Sequence, residues 1–320
     1  MRFFRAVLLA TVAFAATTHA TDITPRMLLL AVAQAGPAAI IAVGERATIL
    51  RSTDAALTWQ PAAVPAGLTA ALTGITFAPD ARHGWAVGHD ALILATTDAG
   101  RTWQKSWQGE NLTDSFLDVL ALDTRHILAV GAYGLCVETT DAGLTWTRRK
   151  LTPDDYHLNR LTRGPTGTLY LAGEHGTLLR SSDAGVTWQP ITAPYDGSFY
   201  GILPLDKNTL VAHGLRGRLF RSADDGATWQ SIALADPVLL ATALKLRSDH
   251  LLFAGQSRAF YFSRDGGRSV TPLSVPLTTA VAALLELPEG HILALGEAGA
   301  TTFEIGLAVP TPQPATPTAR

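Results

Sequence analysis

Cysteine is almost absent from this chain. Cys136 is the single one, which excludes an intramolecular disulfide and any cysteine-ligated zinc site. Net charge is scarce too. The 25 Lys and Arg nearly balance the 27 Asp and Glu, leaving -2, so no bulk field draws the chain to nucleic acid or a charged membrane. Past the N-terminus, no apolar run approaches the ~20 residues of a membrane span. The nearest, Met27 to Val43, is broken by Gln34, Gly36 and Pro37 and reads as strand, turn, strand. Sustained helical periodicity is missing. The 9 His show no H-x-x-x-H spacing, so neither metal nor cofactor is expected. Cys136, inside a strand pattern, reads as a small buried residue.

What is present begins with a targeting segment. Arg2 and Arg5 precede an apolar core from Val7 to Ala16, and Thr18-His19-Ala20 approximates a cleavage site. The expected organisation is a signal peptide over 1–20, one domain over 21–309, and a Pro/Thr-rich disordered tail over 310–320. The mature chain should be exported, without a transmembrane segment, and the lack of disulfides suits the periplasm of a Gram-negative bacterium.

One phrase then recurs: a strand ending in Gly, a tight turn, a second strand, and Ser/Thr-x-Asp-x-Gly-x-Thr-Trp. Examples are ILAVGAYGLCVETTDAGLTW from Ile127 and LYLAGEHGTLLRSSDAGVTW from Leu169. The marker glycines Gly44, Gly88, Gly131, Gly173, Gly214, Gly255 and Gly296 are 44, 43, 42, 41, 41 and 41 residues apart. A period of roughly 40–45 residues with strand-like alternation suits a four-stranded propeller blade. Seven markers predict an all-β, seven-bladed β-propeller of four-stranded antiparallel blades. In the third blade the strands are expected near Phe116 to Leu122, His126 to Val130, Leu135 to Thr140, and from Thr145.

The box belongs to the turn between the third and fourth strands. Its Asp accepts backbone N–H groups of its own turn, its Gly supplies a positive φ, and its Trp packs between neighbouring sheets. Asp54, Asp98, Asp141, Asp183, Asp224 and Asp265 are therefore assigned as turn-formers, and Trp59, Trp103, Trp146, Trp188 and Trp229 as packing residues. Two copies depart from the pattern. Ala56 replaces the box glycine in the first blade, forcing a left-handed alanine or a different turn, and Val270 replaces Trp in the sixth. The seventh blade has no box and no obvious fourth strand; Thr21 to Arg26 could close it as an outer strand.

The box is the bacterial neuraminidase repeat. The fuller phrase resembles the photosystem II stability and assembly factor family, best over Gly131 to Trp146 and Gly173 to Trp188, and the resemblance spans essentially the whole mature chain. It implies an exported seven-bladed propeller that binds assembly intermediates of photosystem II and catalyses nothing. An arginine-rich face implicated in the photosynthetic members has no arginine-by-arginine counterpart here. The alternative is a carbohydrate-active, sialidase-like propeller. That chemistry needs positioned carboxylates, and sialidases add an arginine triad and a Tyr/Glu pair. The early Thr24-Pro25-Arg26 is not their Arg-Ile-Pro phrase, and the acids outside boxes fall mostly in turns, as Asp80, Asp123, Asp206 and Asp249 do.

Antiparallel blades put the turns between second and third strands, and the connections between blades, on one face. The boxes lie on the other. On the first face the candidate partner-binding residues are Arg46, His89, Asp90, Tyr133, His175 and Arg216 from the turns. Arg148, Arg149, Lys150, Tyr156, His157, Tyr195 and Tyr200, with Trp107 and Phe199 beside them, come from the connections. Aromatics with Arg on one rim are the composition of binding hot spots. Arg51, Arg180 and Arg221, three residues before a box, read as blade-surface residues. The expectation is a monomer that binds a protein partner in a membrane-associated complex.

Overall fold

The computed structural model describes residues 27–305 apart from positions 38 and 235. The targeting segment, the suggested closing strand Thr21 to Arg26 and the tail lie outside the described residues. Within them the chain forms seven consecutive antiparallel sheets, six of four strands and the last of three. The third blade runs Phe116–Ala121, Ile127–Gly131, Cys136–Thr139 and Thr147–Arg148, from the innermost strand outward. Met27 to Val43 contains strands Leu29–Gln34 and Ile40–Gly44. No helix among the described residues is long and apolar enough to cross a membrane.

Seven buried apolar clusters hold the ring, one at each junction between blades. That between the seventh and first joins Leu29, Ile40 and Trp59 to Ala283, Leu293 and Leu295, so the circle closes through side-chain packing. The box tryptophans sit in these wedges. Trp59 and Trp103 are buried, whereas Trp146, Trp188 and Trp229 are half-buried against the preceding blade. Trp107 and Phe199, expected on the rim, are packing residues instead: Phe199 is fully buried and Trp107 lies 5.8 Å from the Phe116 ring.

The marker glycines have a steric origin. Gly44, Gly131 and Gly214 have φ of -170, -167 and -177, ordinary extended backbone. Each of the seven instead crowds the chain entering its own blade. A Cβ on Gly88 would lie 2.0 Å from the Ala71 carbonyl oxygen, and one on Gly255 1.9 Å from that of Leu239. The same carbonyls accept the N–H of the residue after the glycine, His89 at 3.0 Å and Gln256 at 3.1 Å. The contact sits beside the bulge at the start of the inner strand. Only a residue without Cβ lets the two backbones approach this closely.

Candidate functional site

The boxes are closed hydrogen-bond units. In the fourth blade Asp183 accepts the Thr187 N–H at 2.9 Å, the Thr187 hydroxyl at 2.6 Å and the Ser181 hydroxyl at 2.7 Å. Ser181 in turn accepts the Gly185 N–H at 2.8 Å. All six boxes repeat the bond from the backbone N–H four residues on to the aspartate carboxylate. Ala56 takes φ 66, the left-handed one of the two alternatives open to it. The residue before each box glycine is left-handed too, as at Ala142 and Ala184.

These hydrogen bonds hold the carboxyls of Asp141, Asp183 and Asp224 down to about 2. A carboxyl whose folded pKa lies below its unfolded value stabilises the fold above the unfolded pKa, and loses that contribution as pH falls through the folded one. The melting temperature should therefore fall between about pH 4 and pH 2, and less steeply in Asp183→Asn. Buried Asp118 has a raised pKa and opposes the trend, but equally in both proteins. Parallel acid slopes for wild type and variant would contradict the assignment.

A second pattern, not anticipated from the sequence, links the blades. A side chain of each of the first five blades binds a box carbonyl of the next. Arg51 Nε reaches Ala99 O at 3.1 Å, Ser106 Oγ reaches Gly143 O at 3.0 Å, and Arg221 Nε reaches Gly266 O at 2.9 Å. Arg180 reaches the Asp225 carbonyl at 3.3 Å and its carboxylate at 2.5 Å. Between the third and fourth blades the latch is Arg149, at 2.7 Å from Gly185 O, 2.8 Å from Val186 O and 2.8 Å from Glu138. Arg149 is thus withdrawn from the candidate docking surface, because its guanidinium is committed to the ring. The neighbouring basic residues are balanced as well. Arg148 pairs with Asp114, and Lys150 lies 3.5 Å from Asp155.

The face opposite the boxes does gather part of the expected set. Tyr133 is 73% exposed and lies 4.8 Å from the His157 ring. Tyr156 stacks on His175 at 4.2 Å. His157 Nδ1 bonds Glu174 at 2.6 Å, and the Arg218 guanidinium lies 5.1 Å above the Tyr195 ring. These contacts make an aromatic, imidazole and cation ladder across the third to fifth blades. Arg46, His89, Asp90 and Arg216 stand on other turns of the same face, outside the ladder. Tyr200 belongs to the innermost strand Phe199–Pro204 and lines a central cavity rather than the rim. Arg218 was missed because it stands between the turn Leu215–Gly217 and the strand Leu219–Ser222, where a charged residue reads as an ordinary solvent-facing position. The box face carries exposed Leu57, Leu144 and Val186, scattered one to a blade.

Elsewhere the plain readings hold. Asp80, Asp123 and Asp206 accept backbone N–H groups of their own turns. Cys136 is buried and its thiol is pushed up to about 12 by that burial.

A ring of Asp-box blades with a ladder of aromatic rings on one rim defines the class: a seven-bladed propeller of the neuraminidase-repeat type. The model of the photosynthesis system II assembly factor YCF48 family matches residues 17–112 and 104–238, and the chain belongs to that family. Solved structures agree on the fold. A YCF48 bound to D1 peptide is 20% identical, with 88% of this chain and 94% of that one covered at a TM-score of 0.71. YCF48 from Cyanidioschyzon merolae is 16% identical, with 87% and 96% covered at 0.71. An ancestral GH74 enzyme is 12% identical over 86% of this chain and 44% of that one, at 0.69. No curated protein matches the chain.

Proposed function

We propose that this chain is an exported, non-catalytic propeller that binds a polypeptide of a membrane-associated complex and assists its assembly. The observation that carries the reading is Tyr133. It is a large aromatic, 73% exposed, held at φ 53, where an L-residue pays about 1–2 kcal/mol. It contributes nothing to a core at that exposure, and it leads a ladder of rings of the kind that forms binding hot spots. Family membership supports an assembly role, and a related YCF48 has been solved with a bound peptide. The glycosidase reading has less beneath it: the central cavity is lined by one arginine and no carboxylate, short of the pair that glycoside hydrolysis uses.

The test is recovery of co-purifying membrane proteins by the mature chain and by a Tyr133→Ala, His175→Ala double variant. Truncating a hot spot costs about 2 kcal/mol or more, roughly thirtyfold in affinity, whereas exposed substitutions shift stability by about 0.5 kcal/mol each. Recovery should collapse while the melting curve stays in place. Full recovery by the folded variant would refute this face as the contact.

A further inference from the structure

Seven inner strands surround the central channel, and their third positions are equivalent. In the seventh, first and second blades these are Ala283, Ala31 and Gly74. In the third to sixth they are Asp118, Arg160, Gly201 and Thr242. The first group is small and apolar, whereas three of the second four carry polar side chains. At Gly201 the missing side chain makes room for another. A Cβ there would lie 2.5 Å from Nε2 of His213, which sits on the neighbouring strand Leu210–Gly214. The equivalent residues in the first three blades are Val43, Val87 and Val130, each preceding the marker glycine as His213 does. The imidazole thus breaks the repeat at a buried position where packing alone is satisfied by valine.

A cavity of about 200 Å3 opens among Arg160, Thr162, Tyr200, Gly201, His213 and Thr242. His213 is 4% exposed. Its Nδ1 lies 2.9 Å from the Leu240 carbonyl, an acceptor, so Nδ1 carries the proton and Nε2 presents a lone pair. Burial lowers the imidazole pKa to about 4, keeping the ring neutral near pH 7. Among the described residues Nδ1 makes the only side-chain hydrogen bond of His213, which leaves Nε2 unpartnered on a residue that lines the cavity. Arg160 supplies the opposite need. Its Nε lies 3.9 Å from Asp118, beyond hydrogen-bond reach, and Asp118 is occupied by the Leu161 N–H at 2.8 Å. The terminal guanidinium nitrogens are left to bind an acceptor. A ligand that fits must bring a hydrogen-bond donor to His213 and negative charge to Arg160 within the volume of a small organic molecule.

We propose that the channel binds a small hydroxycarboxylate, its carboxylate on Arg160 and its hydroxyl donating to Nε2 of His213. Tyr200 and Thr242 offer further hydroxyls on the cavity wall. The site is distinct from the rim ladder and uses none of its residues.

L-malate, succinate and glycerol separate the contributions, because succinate keeps the carboxylates without the hydroxyl and glycerol keeps hydroxyls without charge. Isothermal titration with the purified mature chain should show malate binding at least about tenfold more tightly than succinate, and no glycerol binding. Arg160→Gln should abolish malate binding. His213→Val, which installs the residue of the first three blades, should weaken malate to the level of succinate. In wild type, the 15N resonance of His213 Nε2 should shift with malate and not with succinate, a readout that needs no variant to fold. Equal affinities for malate and succinate, an unmoved Nε2 resonance, or no binding by any of the three would overturn the proposal.

Discussion

Gly88→Ala should destabilise the ring by about 3 kcal/mol or more, far more than alanine usually costs in a strand. The φ of a marker glycine is not the reason. A Cβ on Gly88 would sit 2.0 Å from the Ala71 carbonyl oxygen and 2.9 Å from Leu72 Cα, both backbone atoms that no rotamer change can move aside. The Ala71 carbonyl also accepts the His89 N–H at 3.0 Å, so relieving the clash stretches the hydrogen bond that seats the inner strand. Overpacking of a rigid site costs about 1–3 kcal/mol and occasionally more, and here it adds to a weakened hydrogen bond of about 1 kcal/mol. The control is Gly266→Ala. Gly266 has φ +68, and a methyl added there would meet nothing within 4 Å, so it should lose only the left-handed penalty of about 1–2 kcal/mol. Thermal melts compare the two directly. At roughly 2 °C or more per kcal/mol, Gly88→Ala should melt about 6 °C or more below wild type. A smaller loss than in Gly266→Ala would contradict the steric explanation.

Arg149→Glu should have the second largest effect. Its guanidinium makes three hydrogen bonds, to Glu138, Gly185 O and Val186 O, and its side chain is 23% exposed. The reversed charge would face Glu138, which also carries the bond to His126 at 2.6 Å. Charge-assisted hydrogen bonds contribute about 1.5–3 kcal/mol each in favourable settings. Partial exposure screens this, leaving an expected loss of about 2–4 kcal/mol. Arg148→Glu, one residue away and 56% exposed, should cost less than about 1 kcal/mol. Urea unfolding of the two variants separates them. Equal midpoints would mean that Arg149 is a surface charge after all, and that the latch between the third and fourth blades carries no energy.

How much of this could be read beforehand depended on how local the physics is. The box is satisfied within a single turn by its own Ser/Thr, Asp and Gly, so its chemistry is written contiguously and its period exposes the seven blades. The latches are not local. Arg149 finds Gly185 and Val186 36 and 37 residues on, and in sequence it stands in an Arg-Arg-Lys run that resembles a free basic patch. Tyr200 misled for a related reason. The bulge between Phe199 and Gly201 breaks the strand alternation there, so an aromatic next to a loop faces the channel. His213 gave one legible signal, a histidine where equivalent positions hold Val, Ala or Leu, but its meaning depends on Gly201 and Leu240, from two other strands. Of the rim, the residue types were readable and the pairings were not. The contacts Tyr133–His157 and Tyr156–His175 join turns to connections distant in sequence, while Arg46 and His89 share the face without joining the ladder.

Under the proposed function, polypeptide recognition belongs to the rim led by Tyr133 and not to the box face. Its most direct test is a photo-crosslinking amino acid placed at position 133 or at position 144, in the presence of the membrane fraction. Leu144 is 85% exposed on the box face and belongs to the same blade, so the two probes report on opposite sides of one sheet. A discrete crosslinked polypeptide is expected from position 133, lost on adding His175→Ala, and none from position 144. The same crosslinked species from position 144, with none from 133, would contradict it.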